Sequence, residues 1–301
     1  MDFSTFRYFA LILLFSVSAP LSADESEKEV IIQWSRSTST PVLPTPNERW
    51  FIGVAPKAIN PSENSEITLK IGADEISSRL IHFDQAHRVC LIESSVPITG
   101  LTVPEFATFP LPDAGEKLHC WKPGSSCPTT VAGKEYSVRG EPLSSPLLRV
   151  RVADAAEFCL PGTPLICSQG KLFGILAEVS STVEGEAHAI PASCLHKLLT
   201  EFARFHRTGK VRVGLVFEDK AQTPQVIEVR TGSPADAAGI EPGDVILSVG
   251  GHEVPDLDEL TQMIHLLIAG DTVDFTVLRG LKETTLKLTP EFAEPVVAEA
   301  P

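Results

Sequence analysis

Six cysteines and eight histidines carry the most reactive side chains of this 301-residue chain. The cysteines are Cys90, Cys120, Cys127, Cys159, Cys167 and Cys194. They contain no CxxC pair, the spacing typical of zinc sites, so neither a metal site nor a cofactor is predicted. An even number of cysteines permits disulfides, and Cys120 and Cys127 flank a loop, HCWKPGSSC, that can close easily. Free, buried and inert cysteines are the alternative.

Cys159 could form a catalytic site together with a histidine. His82, His87 and His188 lie in the same part of the chain, and a thiol activated by an imidazole can act as a nucleophile. The alternative is a structural thiol or one half of a disulfide. The two interpretations differ in whether the chain is an enzyme.

Residues 1–23 have the pattern of a secretory signal peptide. Arg7 precedes an apolar run over residues 8–17, and small residues lead to Ala23,. The run is shorter than the roughly 20 apolar residues that span a bilayer. Cleavage after Ala23 and export to the periplasm or the extracellular space are therefore predicted, with no membrane association beyond export. An uncleaved N-terminal anchor is the alternative.

The formal net charge of −14 bears on the partners of the chain. Phosphate binding requires clustered lysine and arginine. An acidic chain of this kind is a poor candidate for binding nucleic acid or anionic lipid.

Turn residues divide the rest of the chain into segments. Residues 24–46 are rich in Ser, Thr and Pro and are predicted to be a flexible segment. Residues 47–208 contain short apolar runs broken by Gly and Pro, which indicates an all-β barrel or sandwich. They end in a predicted helix over residues 192–205 with one apolar stripe. Residues 210–290 form a further domain, and residues 291–301 are predicted to be a disordered tail.

The last domain carries several turn signals at fixed spacing. Ser233 can cap a short helix, Pro234 suits its first turn, and Gly239 suits the left-handed residue that ends it. Pro and Gly in residues 241–244 indicate a type II turn. Gly250-Gly251 predicts a two-residue hairpin turn. A helix over residues 256–268 and a closing hairpin complete the domain.

The segment GSPADAAGIEPGDVILSVGG, with its neighbours over about 80 residues, closely resembles a PDZ domain of the HtrA/DegP type. The resemblance implies a groove in which a partner's C-terminus or an extended segment adds as a strand. The loop around Gly214 falls at the carboxylate-binding position, where successive N–H groups can converge on an anion. Arg212 either adds charge attraction or is a solvated surface arginine. The predicted peptide-binding residues are Arg212, Val213, Gly214, Leu215, Val216, Phe217, Leu260 and Ile264.

An exported β-rich domain before a PDZ domain is similar to the HtrA/DegP arrangement, in which a chymotrypsin-like double barrel comes first. GKLFGILAE at residues 170–178 and AHAIPASCLHKLLTEF at residues 187–202 are similar to the strand after the family's nucleophile loop and to its A-I-P strand and linker helix. The expected fold is therefore mainly β, a degenerate double β-barrel followed by an α+β PDZ domain.

The same resemblance assigns the catalytic positions. Pro161 stands where the family has its serine, Pro56 (or Ala55) stands at the histidine, and Arg88 stands at the aspartate. Proline offers neither nucleophile nor base, and arginine would repel an imidazolium. The Gly-Gly backbone of the loop is changed as well, and Pro164 lacks an N–H. Because Cys159 lies two positions before the expected nucleophile, it is interpreted as structural. His87 is interpreted as a surface-loop residue and His188 as a strand residue.

These observations predict an exported HtrA-like pseudoprotease with no catalytic residues. Its PDZ groove would bind protein C-termini or extended segments, and the barrels would act as scaffold, adaptor or regulator. The alternative is an active serine- or cysteine-type endopeptidase of protein quality control with a rearranged site. Homo-oligomers, or mixed oligomers with HtrA-like proteins, are further possible partners.

Overall fold

The computed structural model describes residues 29–107, 110–138, 141–179, 183–218 and 221–293. The predicted signal peptide, residues 1–23, lies outside these residues. Within them, no helix is long and apolar enough to cross a membrane.

Six antiparallel strands close a first barrel in the order β1-β2-β3-β6-β5-β4. The strands are β1 (Val30–Ser35), β2 (Thr38–Pro44), β3 (Trp50–Val54), β4 (Glu66–Ile71), β5 (Asp74–Asp84) and β6 (Val89–Ser94). Alternate residues of β4 are buried, which follows from one strand face lining the barrel interior,.

The prediction that residues 24–46 are flexible is wrong for the two strands β1 and β2. Val30 and Ile32 of β1 are buried, and β1 pairs with β4 to close the barrel. The serines, threonines and prolines of β2 indicated a loop, yet threonine is β-branched and suits a strand. Pairing with a strand some forty residues away is a long-range effect, so local composition did not reveal it.

A second barrel follows in the order β10-β11-β12-β9-β8-β7. Its strands are β7 (Lys117–Lys122), β8 (Ser125–Val138), β9 (Glu141–Val152), β10 (Pro164–Ile166), β11 (Leu172–Val179) and β12 (Glu186–Pro191). The short helix α1 (Ala155–Phe158) precedes β10. Helix α2 (Ala192–Phe205) has the predicted bounds, and its residues Leu195, Leu198 and Phe202 pack into the core between the barrels.

The last domain begins with β13 (Val211–Arg212). It continues with β14 (Leu215–Phe217), β15 (Val226–Val229), α3 (Pro234–Ala238), β16 (Val245–Val249), β17 (His252–Glu253), α4 (Leu257–Leu266), β18 (Val273–Arg279), β19 (Lys282–Leu288) and β20 (Glu291–Phe292). The turn signals act as predicted: Ser233 Oγ accepts the Asp236 N–H at 3.3 Å, and Gly239 is left-handed.

The predicted disordered tail is wrong at its start. Residues 291–292 form β20, which pairs with β13, and the Phe292 ring lies edge-on against Phe205 of α2. Residues 294–301 lie outside the described residues. The predicted fold class is confirmed: two six-stranded barrels precede a small α+β domain.

Candidate functional site

Arg88 and Pro56, two of the three positions that the resemblance assigns to the catalytic triad, lie side by side in the first barrel. Arg88 Nε donates to Ala55 O at 3.1 Å, and its terminal nitrogen donates to Pro56 O at 2.9 Å and to Ile59 O. The Ala55 N–H returns a bond to Arg88 O at 2.9 Å. The guanidinium is thus held by the carbonyls of the loop after β3. Arg88 acts here as a structural anchor of that loop.

The third position, Pro161, lies in the turn between α1 and β10 of the second barrel. Its neighbour Gly162 presses against the first barrel, since a Cβ on Gly162 would lie 2.2 Å from Pro41 O. The turn therefore sits where the two barrels meet.

The backbone N–H groups of this turn can be counted completely. Pro161 and Pro164 have none. The other four all donate to carbonyl groups: Cys159 to Ala155 at 3.0 Å, Leu160 to Phe158 at 2.9 Å, Gly162 to Leu176 at 2.7 Å and Thr163 to Leu160 at 3.0 Å. An oxyanion hole needs N–H groups that point at the developing negative charge. In this conformation the turn has no N–H group to supply.

Cys159 lies in an environment that disfavours a thiolate. It is buried, and this burial, with the nearby Cys127, raises the pKa of the Cys159 thiol. A reactive cysteine instead needs a cation or a helix N-terminus that lowers its pKa. The geometry fits the structural interpretation.

His87 is the histidine whose interpretation changes. It was expected on the surface, yet it is only 9% exposed. Its Nδ1 lies 2.8 Å from Asp84 Oδ2, and its Nε2 is buried without a hydrogen-bond partner among the described residues. The turn after β5 lines one cavity together with α2, which sequence position alone could not indicate. His188 is a strand residue as predicted, and its Nε2 lies 2.5 Å from Glu135 Oε2.

The peptide groove predicted for the last domain has β14 as its first wall. Within the described residues, β14 pairs with β15 along one edge only. The Arg230 N–H donates to Gly214 O at 2.9 Å. Because backbone groups of successive strand residues point to opposite edges, the N–H and C=O of Leu215 point to the open edge. These are the groups that an added strand would use.

Gly214 opens this wall with a left-handed backbone, φ +88°. A Cβ on Gly214 would lie 2.1 Å from the Cβ of Ser233. Val213 O accepts the Ala235 N–H at 2.9 Å, and the Val213 side chain is buried. The Val213 side chain is therefore not available to a ligand. The loop is held tightly against the start of α3.

Helix α4 forms the second wall. Its successive residues are about 100° apart around the axis, so Leu257 and Ile264 share a face, and both are half-buried against the domain core together with Leu215 and Phe217. Leu260 is fully buried in the core, so the prediction that it faces the groove is wrong. Leu257 was missed, although it lies seven residues, nearly two turns, before Ile264.

Arg212 has a partner of its own. Its guanidinium pairs with Glu291 Oε2 at 2.9 Å on the surface, across the β13–β20 pair. This favours the interpretation of Arg212 as a surface arginine, with its charge largely balanced by Glu291.

The flank of α4 turned away from the groove rests on the second barrel. Glu259 lies 3.5 Å from Lys134 of β8, Leu266 packs against the barrel core, and Gln262 is buried. At 100° per residue around the helix axis, these three residues lie on the side of α4 opposite Leu257 and Ile264. The barrel therefore supports the groove wall without covering it.

A buried ion pair fixes the end of α4 to α2. Lys197 donates to Glu201 and, at 2.7 Å, to Leu267 O. Glu201, which is fully buried, also accepts the N–H groups of Gly209 and Ala269, each at 3.3 Å. Burial lowers the pKa of Lys197 although Glu201 opposes this effect. One carboxylate thus joins α2, the backbone at Gly209 and the segment that follows α4.

No group of three or more potential ligand side chains that could hold a metal ion occurs within the described ranges.

Comparisons with known proteins concern the last domain and the chain more widely. The PDZ domain family matches residues 211–289. The chain is 30% identical over 149 residues to the serine protease Do-like HtrA of Bacillus subtilis, covering 42% of this chain and 33% of that protein. It is 25% identical over 145 residues to a DegP-like periplasmic serine endoprotease of Marinomonas, covering 43% and 31%. The chain spans about a third of the length of these relatives.

A solved structure covers most of the fold. The HtrA-type protease AlgW, determined with a tripeptide, aligns with a TM-score of 0.54 at 14% identity, covering 89% of this chain and 94% of that one. At this identity the likeness concerns the fold. Residues 211–289 are therefore a PDZ domain, the chain is similar in sequence to HtrA/DegP serine proteases over 42–43% of its length, and it shares the fold of the AlgW structure.

Proposed function

We propose that this chain is an HtrA-like pseudoprotease whose PDZ groove binds protein C-termini or extended peptide segments. The single observation that carries the proposal is the open edge of β14 beside the apolar face of α4. The AlgW structures, determined with a tripeptide and a decapeptide, contain peptides, and peptide binding by this chain is inferred from its groove.

The groove offers two kinds of contact. The N–H and C=O of Leu215 can pair with the backbone of an extended ligand, which gives affinity for any sequence. Leu257 and Ile264 offer apolar contact to alternate side chains of that ligand, which gives selectivity. The backbone before β14 turns at Gly214 beside this wall, where a terminal carboxylate would be received.

The absence of hydrolysis is part of the proposal and rests on the barrel geometry. The turn at Pro161 has no N–H to stabilise an oxyanion. Arg88 occupies the space beside Pro56 with a guanidinium held by three carbonyls. The barrels would then serve as scaffold, with α4 held on β8 and β9 as one rigid wall. A role as regulator through mixed oligomers with an active HtrA-like protein belongs to the same proposal.

Peptide selection tests the binding function. The full chain is panned against a library of peptides with free C-termini, and the best binder is then compared with its C-terminal amide. Tighter binding of the free acid is expected, because the amide lacks the charge that the loop at Gly214 would receive. Equal affinities for acid and amide would remove the carboxylate role, and a failed selection would contradict the proposal.

A cleavage assay tests the loss of catalysis. Purified chain is incubated with casein and a labelled peptide library, beside Cys159→Ala as a matched variant. No cleavage is expected from either protein. Cleavage by the parent chain that disappears in Cys159→Ala would establish the endopeptidase alternative.

Export is proposed from residues 1–23 and from the periplasmic relative of Marinomonas. The chain is expressed in a Gram-negative host, and the protein of the periplasmic fraction is sequenced from its N-terminus. A sequence beginning at Asp24 is expected. Retention of residues 1–23 in the membrane fraction would favour the uncleaved anchor.

A further inference from the structure

Three cysteines of the second barrel share one buried core. Cys120 lies on β7, Cys127 on β8, and Cys159 between α1 and β10. All three are buried in the same cluster, and in the structure all three are thiols. Cys120 is fully buried and Cys127 is 3% exposed.

Cys120 and Cys127 are direct neighbours across the β7–β8 pair. In the same register His119 lies opposite Pro128. Proline has no N–H, so that pair is one of the non-hydrogen-bonded pairs, and the next pair along the ladder is hydrogen-bonded. Residues opposite each other in a hydrogen-bonded pair have Cα atoms about 5.5 Å apart. Disulfides most often join Cα atoms that are about 5.5–6 Å apart.

The side-chain contacts of Cys120 and Cys127 do not prevent a disulfide from forming between them. Both cysteines of the pair point into the barrel. The partners of their sulfur atoms are weak, with Thr129 Oγ1 3.3 Å from Cys120 Sγ and the Asp154 N–H 3.1 Å from Cys127 Sγ,. The Cα separation expected for such a pair lies within the disulfide range, and the two Cβ atoms, about 5 Å apart, must approach by roughly 1 Å.

We propose that Cys120 and Cys127 are a modification site of this chain, at which a disulfide forms across the β7–β8 hairpin. The reaction is exchange with a small disulfide such as oxidised glutathione. One cysteine thiolate attacks the donor and releases one glutathione thiol, and the second thiolate then displaces the other. The S–S bond of the donor breaks, the Cys120–Cys127 bond forms, two electrons pass to the donor, and two glutathione thiols result.

The bond forms before the barrel is complete. Burial raises the pKa of Cys120 to about 12 in the folded chain, and the thiolate is the reacting species. During refolding the hairpin brings both thiols together while water and the donor still reach them. Bond formation is therefore expected to be roughly tenfold or more slower in folded, reduced protein than during refolding.

Mass spectrometry tests the proposal on the full chain. Reduced, denatured protein is refolded with oxidised glutathione, then denatured and alkylated without reduction. Chymotrypsin cleaves after Trp121, between the two cysteines, so the two halves of the hairpin stay joined only by a disulfide. The expected product is this joined pair, lighter than the two separate thiol peptides by two hydrogen atoms. Alkylation of both Cys120 and Cys127 would overturn the proposal.

Variants identify the pairing. Cys159→Ala should keep the bond, and Cys120→Ala should lose it. Cys90→Ala, which alters a buried thiol of the first barrel, is the matched control and should keep it. A link between Cys127 and Cys159 in the parent chain would overturn the proposed pair. Disulfide mapping of the parent protein identifies the paired cysteines even if a variant does not fold.

Discussion

Replacement of Gly214 by alanine tests the proposed groove most directly. The backbone there is left-handed, and the added Cβ would lie 2.1 Å from Ser233 Cβ and 2.2 Å from Ser233 Oγ. Left-handed backbone costs an alanine about 1–2 kcal/mol. The collision adds about 1–3 kcal/mol, as overpacking typically does. The total of about 2–5 kcal/mol should loosen the loop that opens β14.

Gly232→Ala is the matched control. Gly232 is also left-handed, φ +71°, but a Cβ there meets no atom within 4 Å. It carries only the backbone cost of about 1–2 kcal/mol. The difference between the two variants therefore isolates the contact with Ser233.

Two measurements are made on each variant. Hydrogen exchange read by mass spectrometry reports the opening of β14 and β15, because loosened strands exchange faster. Fluorescence polarisation with the selected free-acid peptide reports affinity, where about 1.4 kcal/mol corresponds to tenfold. Gly214→Ala should lose roughly tenfold or more in affinity relative to Gly232→Ala. Equal exchange and equal affinity in the two variants would refute the role given to this loop.

A second substitution sharpens the result. Ser233→Gly removes both atoms that the new Cβ meets. Glycine replaces serine as a helix cap at a cost of only a few tenths of a kcal/mol. The double variant Gly214→Ala/Ser233→Gly should therefore recover most of the protection and affinity lost through the collision.

Three further predictions concern residues that hold the fold. Lys197→Met leaves the buried carboxylate of Glu201 without its cation and should destabilise the chain by about 3–5 kcal/mol in thermal unfolding. Lys197→Met/Glu201→Gln removes the charge but keeps an acceptor for the N–H groups of Gly209 and Ala269, so it should recover much of this loss; equal stability of the single and double variants would contradict the prediction. The hydrogen bonds of Arg279 hold the pKa of Asp244 below its usual range, so this pair stabilises the PDZ domain above about pH 4, and the contribution disappears as pH falls through the folded pKa. Asp244→Asn should flatten that part of the pH profile in hydrogen exchange, and an unchanged profile would exclude the pair as its source. Arg88→Ala should destabilise the first barrel by about 1.5–3 kcal/mol, because charge-assisted hydrogen bonds are lost. The variant should not gain casein cleavage, and such a gain would contradict the pseudoprotease proposal.

Several parts of the structure followed from local sequence signals. Helix α2 has its predicted bounds, and Ser233 and Gly239 cap α3 as predicted. In each case the signal and the structure lie within a few residues of each other, because a cap or turn is closed by hydrogen bonds between near neighbours. The resemblance of the last domain, together with that of residues 170–178 and 187–202, predicted the two-barrel fold as well.

The candidate site was only partly predictable. Gly214 and the strand after it were identified through the resemblance to a PDZ domain, which places this loop at the carboxylate-binding position. Leu260 was assigned to the groove and Leu257 was missed, because both belong to one apolar stripe and only the packing of α4 separates core from groove. The location of Pro161, Arg88 and Pro56 followed from resemblance, whereas the bonds that hold Arg88 required the folded loop.

By itself, the sequence identified the PDZ domain and the mainly β fold that precedes it, and it led to the proposal that the catalytic residue types are missing. Only the tertiary structure decided that β1 and β2 close the first barrel, that His87 is buried beside Asp84, and that α4 rests on the second barrel. The first group depends on residue type and short-range hydrogen bonding. The second depends on contacts between residues far apart in the chain, such as Val30 with Ile71, and their energy exists only after the chain has folded.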